Sequence, residues 1–245
     1  MITYSSVTKI YKKRPVVEDF SLSVTAPIFG FLGANGAGKT TIMKMTVGLL
    51  APTSGTITIN GIPSLDKASK QKIGFMPETP YFYERLTGME FMKFCGELYG
   101  QHGNVFNSFA EGLLKKVGIY EARNYEIRTY SKGMRQRLGF AQALVNDPEY
   151  LFLDEPLDGL DPIGRRETKD VILSLKKEGK KIFLNTHILY DVEEMCDELG
   201  VVHRGHLLYS GPVKKFCDGK SLEERFIETV EEHEKERTSK LNHHA

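Results

Sequence analysis

The sequence predicts an α/β fold built on a parallel sheet, and three observations support this prediction. The second half alternates strands and helices: YLFLD, a helix over about Arg165–Lys177, KIFLNT, and a helix over about Leu189–Cys196. This alternation is typical of parallel sheets. A glycine-rich loop lies between the apolar strand IFGFL and an apolar-periodic helix over about Thr41–Leu50. The middle, about 86–146, has helical patterns and no convincing strand, which indicates an inserted helical subdomain.

The other elements follow in order along the chain. ITYSSV, VVEDFSLSV and IFGFLG are predicted strands; Pro52 and Gly55 end the first helix, and TITING is a strand with a turn. KIGFMP is a further strand, and GVVHRGHLLYSG predicts a hairpin that turns at Arg204-Gly205. We expect one domain over 1–220 and a tail over 221–245, amphipathic at first and then polar.

Composition and charge exclude several classes of protein. Lys and Arg number 33 and Asp and Glu 32, so the formal net charge of +1 argues against nucleic-acid binding through bulk charge. Cys95, Cys196 and Cys217 are far apart with no CxxC pair, which favours a reducing cytoplasm. No apolar run reaches the roughly 18 residues of a membrane span, so action on a membrane would require a partner.

The segment GANGAGKT fits the phosphate-loop pattern G-x-x-x-x-G-K-[ST] at every fixed position. Glycines let successive N–H groups turn toward a phosphate chain, and the following helix N-terminus adds a positive dipole end. Lys39 would meet the β- and γ-phosphates, and the Thr40 hydroxyl would hold Mg²⁺. The predicted nucleotide-binding residues of this loop are Gly33, Ala34, Asn35, Gly36, Ala37, Gly38, Lys39, Thr40 and Thr41.

Two acids end the apolar strand YLFLDEP, 115 residues after the phosphate-loop lysine. Adjacent carboxylates at a buried strand end are costly unless they have a function. We expect Asp154 to hold Mg²⁺ and Glu155 to polarise the water that attacks the γ-phosphate. Together with the phosphate loop, these acids predict nucleotide hydrolysis but not the machine that it drives.

Tyr130–Pro162, YSKGMRQRLGFAQALVNDPEYLFLDEPLDGLDP, closely resembles a stretch of ATP-binding-cassette (ABC) transporter ATPases. It contains, in that family's order, a signature loop, a helix, the acidic motif and a Gly-Leu-Asp loop. The resemblance spans about 1–215. It implies the ABC type of P-loop NTPase fold, with a parallel core sheet, an antiparallel β subdomain and an inserted helical subdomain. It also implies ATP and Mg²⁺ as ligands.

The resemblance assigns roles to six further residues. Tyr11 matches the aromatic residue that stacks on adenine, and His187 the histidine at the γ-phosphate. Ser131, at a natural N-cap position, and Gly133 match the signature loop that faces the γ-phosphate bound by another subunit. Asp161, with Gly159, matches the loop that crosses between the two subunits.

Three departures from the family pattern affect the expected site. The usual signature Leu-Ser-Gly-Gly-Gln is here Tyr130-Ser131-Lys132-Gly133-Met134. Glu78 stands where the family has a glutamine that reaches Mg²⁺ or the attacking water; a carboxylate can still bind Mg²⁺. Leu157 and Asp158 replace a small polar pair. The Ser-Lys-Gly-Met and Pro-Glu variants together resemble the branch whose separate permeases export drugs, antibiotics, lipids or polysaccharide.

The resemblance implies a cytoplasmic ATPase that dimerises around two ATP molecules and drives a separate membrane permease from the inner face of the membrane. We expect an exporter. The alternatives are the ATPase of an importer, a soluble ABC ATPase of DNA repair or translation, and a degraded cassette that only binds ATP. The Leu86–Asn146 stretch and the Glu78 loop would dock the permease. His203 and His206 flank the predicted turn without an apparent third ligand, so we do not expect a metal there.

Overall fold

The structure is a computed structural model that describes residues 1–242. The chain forms two compact units. The first unit combines Met1–Leu65 with the chain from Asn185 onward, and the second is Asp66–Leu184. His243 and His244, and the end of the predicted tail over 221–245, lie outside the described residues.

The first unit contains an antiparallel sheet with the strand order β2-β1-β4-β5. Its buried face carries alternating apolar residues such as Ile2, Tyr4 and Val7 of β1. The strands are β1 (Ile2–Tyr11), β2 (Arg14–Val24), β4 (Ser54–Ile59) and β5 (Ile62–Pro63). This sheet agrees with the short strands predicted from the first residues.

A second group of strands in the first unit leads to the phosphate loop. The fully buried β3 (Ile28–Leu32) pairs in parallel with β9 (Glu198–His203), which forms an antiparallel hairpin with β10 (His206–Pro212). A run buried along its whole length is typical of a central parallel strand. The helices of this unit are α1 (Lys39–Thr46), α7 (Leu189–Met195), α8 (Val213–Cys217) and α9 (Leu222–Asn242).

The second unit combines neighbouring strands with a helical region. β6 (Ile73–Met76) pairs in parallel with β7 (Tyr150–Asp154), and β8 (Lys181–Asn185) is the next neighbour of β7. The helices are α2 (Lys67–Lys70), α3 (Gly88–Leu98), α4 (Gly103–Lys116), α5 (Lys132–Ala143) and α6 (Pro162–Lys177), with short 3₁₀ turns at Tyr120–Ala122 and Ile127–Thr129. A capping box between Thr87 and Glu90 starts α3.

The predicted α/β class with parallel strands is confirmed, and so is the hairpin at Arg204-Gly205. The expected helix over Thr41–Leu50 is wrong at both ends. It starts at Lys39 and ends at Thr46 because Gly48, at a φ of 71°, turns the chain away. Among the helices of residues 1–242, none combines the length and apolar character that a membrane span requires.

Candidate functional site

The phosphate loop connects β3 to α1 and holds its lysine in a defined place. Lys39 is 6% exposed, and its Nζ donates hydrogen bonds to the carbonyl oxygens of Gly33 at 2.6 Å and Ala34 at 3.3 Å. Ala34, Asn35 and Gly36 form the exposed crest of the loop. The ammonium is therefore buried at the beginning of the loop.

Two glycines of this loop, Gly33 and Gly38, cannot readily be replaced by larger residues. A Cβ on Gly33 would lie 2.2 Å from the carbonyl oxygen of Val202 in β9. Gly38 has a φ of 109°, which an L side chain rarely adopts. Close packing thus requires glycine at position 33, and backbone conformation favours it at position 38.

The hairpin turn of β9 and β10 supports the phosphate loop. The N–H of Gly205 donates to the carbonyl oxygen of Ala37 at 2.8 Å, and the Gly205 carbonyl accepts from the N–H of Glu18 at 3.1 Å. β2 and the hairpin therefore hold the loop through backbone hydrogen bonds. Such contacts fix a loop without depending on long side chains.

The start of α1 suits an anion. No side chain caps this helix, and its first turn contains no acidic residue. Thr40 and Thr41 are both half-buried in that turn. Uncapped N–H groups and the helix dipole favour a negative group at such an end. The phosphate loop and the start of α1 therefore fit a phosphate chain, and the Thr40 hydroxyl is of the type that binds Mg²⁺.

Tyr11 ends β1 beside a tight turn in which Lys12 and Lys13 have positive φ values. Its side chain is 44% exposed, and Lys9 Nζ lies 5.3 Å from the centre of its ring. An exposed aromatic ring held at a strand end can stack on a nucleotide base.

His187 lies in the first unit near the beginning of the phosphate loop. It is exposed and follows Thr186, whose N–H donates at 3.5 Å to the carbonyl oxygen of Phe31 in β3. β3 ends at Leu32, directly before Gly33. His187 therefore follows a strand end that is hydrogen-bonded to the strand leading into the loop.

The second unit gathers the three acids at one edge of its strands. β6 and β7 are parallel with Met76 opposite Leu153, so the residues that follow them leave the same edge. Asp154 is 1% exposed, Glu155 is half-buried, and Glu78 is exposed. This arrangement brings Glu78 and the Asp154-Glu155 pair to the same end of two neighbouring strands.

Glu155 has a φ of 50°, which is unusual for a residue with a side chain. Its carbonyl oxygen accepts a hydrogen bond from Gln136 Nε2 at 3.1 Å and another from the N–H of Asp158 at 3.1 Å. Gln136 is 5% exposed. The sequence prediction missed Gln136; the available signal was a polar residue on the apolar face of a helix.

The signature segment and the Gly-Leu-Asp loop border one open cavity of about 460 Å³ in the second unit. Ser131 caps α5 by accepting the N–H of Met134 at 3.2 Å, which confirms the predicted N-cap. Asp161 caps α6 by accepting the N–H of Gly164 at 2.6 Å. The cavity is lined by Ser131, Gly133, Gly159 and Asp161, so these sequence-predicted residues lie together.

The departures from the family signature have structural partners. Lys132 Nζ lies 2.9 Å from Asp158 Oδ2, so the two unusual residues form an exposed ion pair. The Tyr130 hydroxyl donates to the carbonyl oxygen of Ala122 at 2.7 Å, and burial raises the pKa of this phenol. Leu157 is buried at 3% exposure. The substituted positions are thus accommodated by local contacts.

Comparison with known proteins places these motifs in context. Residues 17–158, more than half of the chain, match the family model described as ABC transporter. The chain is 47% identical over 215 residues to an uncharacterised ABC transporter ATP-binding protein of Synechocystis sp., covering 84% of this chain and 61% of that protein. The chain thus spans less than two thirds of the length of this relative.

Another relative matches over nearly its full length. The chain is 36% identical over 227 residues to the lantibiotic transport ATP-binding protein SrtF of Streptococcus pyogenes, covering 92% of this chain and 96% of that protein. Among solved structures, one described as the ATP-binding subunit of an ABC transporter has a TM-score of 0.86 and 28% identity. The match covers 94% of this chain and 99% of the chain in that solved structure.

Proposed function

Because this chain belongs to the ABC transporter family, we propose that it is an ATP-binding subunit that hydrolyses ATP to drive a separate membrane permease. The observation that carries the proposal is the phosphate loop, with Lys39 buried on the carbonyls of Gly33 and Ala34 at the start of an uncapped helix. This geometry suits a phosphate chain, because the helix dipole and the lysine ammonium both favour an anion.

In the proposed complex, the loop and α1 bind the phosphates of ATP. Backbone N–H groups of the loop and of the start of α1 donate hydrogen bonds to the phosphate oxygens, and the ammonium of Lys39 neutralises charge on the β- and γ-phosphates. The ring of Tyr11 stacks on the adenine base, for which its exposure is suitable. The residues of this chain therefore hold both ends of the nucleotide.

Hydrolysis in this proposal uses the acids that follow β6 and β7. Glu155 accepts a proton from the attacking water, the new bond forms between the water oxygen and the γ-phosphorus, and the bond to the β-phosphate oxygen breaks to release ADP and phosphate. His187 donates to the γ-phosphate oxygens. Thr40, Asp154 and Glu78 would hold Mg²⁺, which neutralises charge on the transferring phosphoryl group.

A second copy of this chain, or a similar ATPase, is the proposed partner across the nucleotide. Ser131, Gly133 and Asp161 line a cavity at the N-termini of α5 and α6, and a helix N-terminus favours an anion. In the proposed dimer, this cavity meets the γ-phosphate bound by the partner subunit. ATP then stabilises the closed pair, and loss of the γ-phosphate contacts on hydrolysis reopens it.

We propose export as the direction of transport and the inner face of the cell membrane as the location. The signature variant Ser-Lys-Gly-Met and the relative named for lantibiotic transport support an exporter. An importer ATPase remains the second candidate, because the chemistry of the nucleotide site is common to both directions. A soluble ABC ATPase acting on nucleic acid is opposed by the net charge of +1.

The test is ATP hydrolysis and ATP-dependent dimerisation of the purified chain. Glu155→Gln should retain ATP binding, lower turnover by about 10²–10⁴-fold, the range of general-base catalysis, and accumulate as dimers with ATP. Asp170→Asn changes an exposed acid of α6 and serves as the matched control with normal turnover.

Near-normal turnover of Glu155→Gln would reject Glu155 as the base, and no turnover by the unaltered chain would reject the proposed function. Co-purification with an integral membrane protein then tests the permease partner.

A further inference from the structure

A cluster of metal-binding side chains joins the C-terminal helix to the β9–β10 hairpin, in the first unit and outside the nucleotide-binding residues. His203 ends β9, and His233 and Glu234 lie on α9. One ligand atom from each of these three residues lies within 4.8 Å of the other two. α9 thus brings two candidate co-ligands to His203, which the spacing of His203 and His206 in the sequence did not indicate.

The contacts inside the cluster are close and partly buried. His203 Nε2 and Glu234 Oε1 are 2.5 Å apart, and the side chain of His203 is 14% exposed. The rings of His203 and His233 have their centres 5.6 Å apart. Three side chains from two separate elements thus converge on one place, and the His203–Glu234 pair is directly hydrogen-bonded there.

His233 provides an independent observation. Its Nδ1 is buried and has no hydrogen-bond partner among the residues that the structure describes. A buried polar nitrogen without a partner costs free energy, and a bound ion is one way to satisfy it. Burial first, and then the nearby His203 and His206, lower the pKa of His233.

We propose that His203, His233 and Glu234 form a site for a transition-metal cation of the zinc class, which fastens α9 to the β9–β10 hairpin. Two imidazole nitrogens and one carboxylate oxygen are ligands that Zn²⁺ accepts, with water completing a tetrahedral set. The nitrogen ligands select against Mg²⁺ and Ca²⁺, which prefer oxygen.

Neighbouring charges shape this site. Arg204 Nε lies 2.7 Å from the same Glu234 oxygen, and its charge opposes a cation. The Arg204 side chain is 55% exposed, so it can turn into solvent when the ion takes the carboxylate. His206 faces Glu18 at 3.7 Å, and its ring lies 5.6 Å from that of His233. His206 is therefore a near neighbour of the cluster without belonging to the ligand set.

The experiment is titration of the full chain with ZnCl₂ by calorimetry in the absence of nucleotide. His243 and His244 are replaced by alanine in every sample, so that tail histidines contribute nothing. We expect one ion per chain. His233→Ala and Glu234→Gln should each weaken binding at least tenfold, whereas the control His206→Ala should change it less than twofold. Titration with MgCl₂ should show no binding at this site.

A second measurement separates a metal site from a folding defect. Zn²⁺ should raise the melting temperature of the parent chain, EDTA should reverse this shift, and the shift should vanish in His233→Ala and Glu234→Gln while both still bind ATP. Unchanged zinc affinity in these two variants, or no saturable binding by the parent, would overturn the proposal. Loss of binding in His206→Ala alone would also overturn the assigned ligand set.

Discussion

The side-chain amide of Gln136 donates a 3.1 Å hydrogen bond to the backbone carbonyl oxygen of Glu155. The bond ties the second turn of α5 to the turn that carries the proposed general base. Glu155 has a left-handed φ of 50°. Such a conformation costs on the order of 1–3 kcal/mol, so it persists only where the surrounding structure holds it. Gln136 is therefore a positioning residue in the proposed hydrolysis.

We predict that Gln136→Leu lowers ATP turnover about tenfold and leaves ATP affinity nearly unchanged. Losing one hydrogen bond should lower the free energy of unfolding by about 1 kcal/mol, and a turn that is less well held should place Glu155 imperfectly. Steady-state turnover, ATP titration and urea unfolding measure the three quantities. Gln142→Leu, six residues later on α5, is the matched control. Equal turnover in the two variants would show that the Gln136 contact does not position Glu155.

Gln136 also shows where sequence reasoning stops. The phosphate-loop and acidic motifs are local, because their chemistry needs fixed residue types at fixed spacing, and they were readable from the sequence. Gln136 contributes through a tertiary contact 19 residues away along the chain. The cluster of His203, His233 and Glu234 needs α9 to pack on the hairpin, a contact that no local pattern specifies.

The fold was more predictable than the contacts between its elements. The apolar runs of β3 and β7 predicted strands, and both strands are buried along their whole length. The length of α1 was wrong, because Gly48 stops the helix within an apolar pattern that continues to Leu50. The roles of Tyr11 and His187 were predicted from the order of motifs in the family. A single aromatic residue or histidine indicates little about function by itself.

Lys39→Ala should weaken ATP binding by about 10–100-fold. The lysine is buried against the loop carbonyls of Gly33 and Ala34, and a hydrogen bond to a charged group contributes on the order of 1.5–3 kcal/mol. Equilibrium titration with a fluorescent ATP analogue measures the change. Lys44→Ala removes an exposed lysine from the same helix and should bind ATP with the affinity of the parent chain. Unchanged affinity in Lys39→Ala would count against the phosphate-loop assignment.

Tyr11→Ala should lower the affinity for ATP about tenfold and leave the affinity for inorganic tripolyphosphate unchanged. Stacking between a base and an aromatic ring contributes roughly 1–3 kcal/mol, and tripolyphosphate has no base to stack. Tyr11→Phe keeps the ring and is the matched control, with ATP affinity close to that of the parent chain. Competition binding with both ligands makes the comparison. An equal loss of affinity for tripolyphosphate would show that Tyr11 acts on phosphate binding and not on the adenine base.

Two glycines of the second unit should respond to alanine in opposite directions. A Cβ on Gly74 in β6 would lie 1.8 Å from the carbonyl oxygen of Ala143 at the end of α5, so the strand and helix must separate. Gly74→Ala should therefore lower the free energy of unfolding by about 3 kcal/mol, at the upper end of overpacking costs. Gly112 lies within α4 with open space around its Cα, and alanine there should raise stability by roughly 0.5–1 kcal/mol. Urea unfolding of both variants measures the difference, and a Gly74→Ala midpoint equal to that of the parent chain would mean that β6 and α5 do not pack this closely in solution.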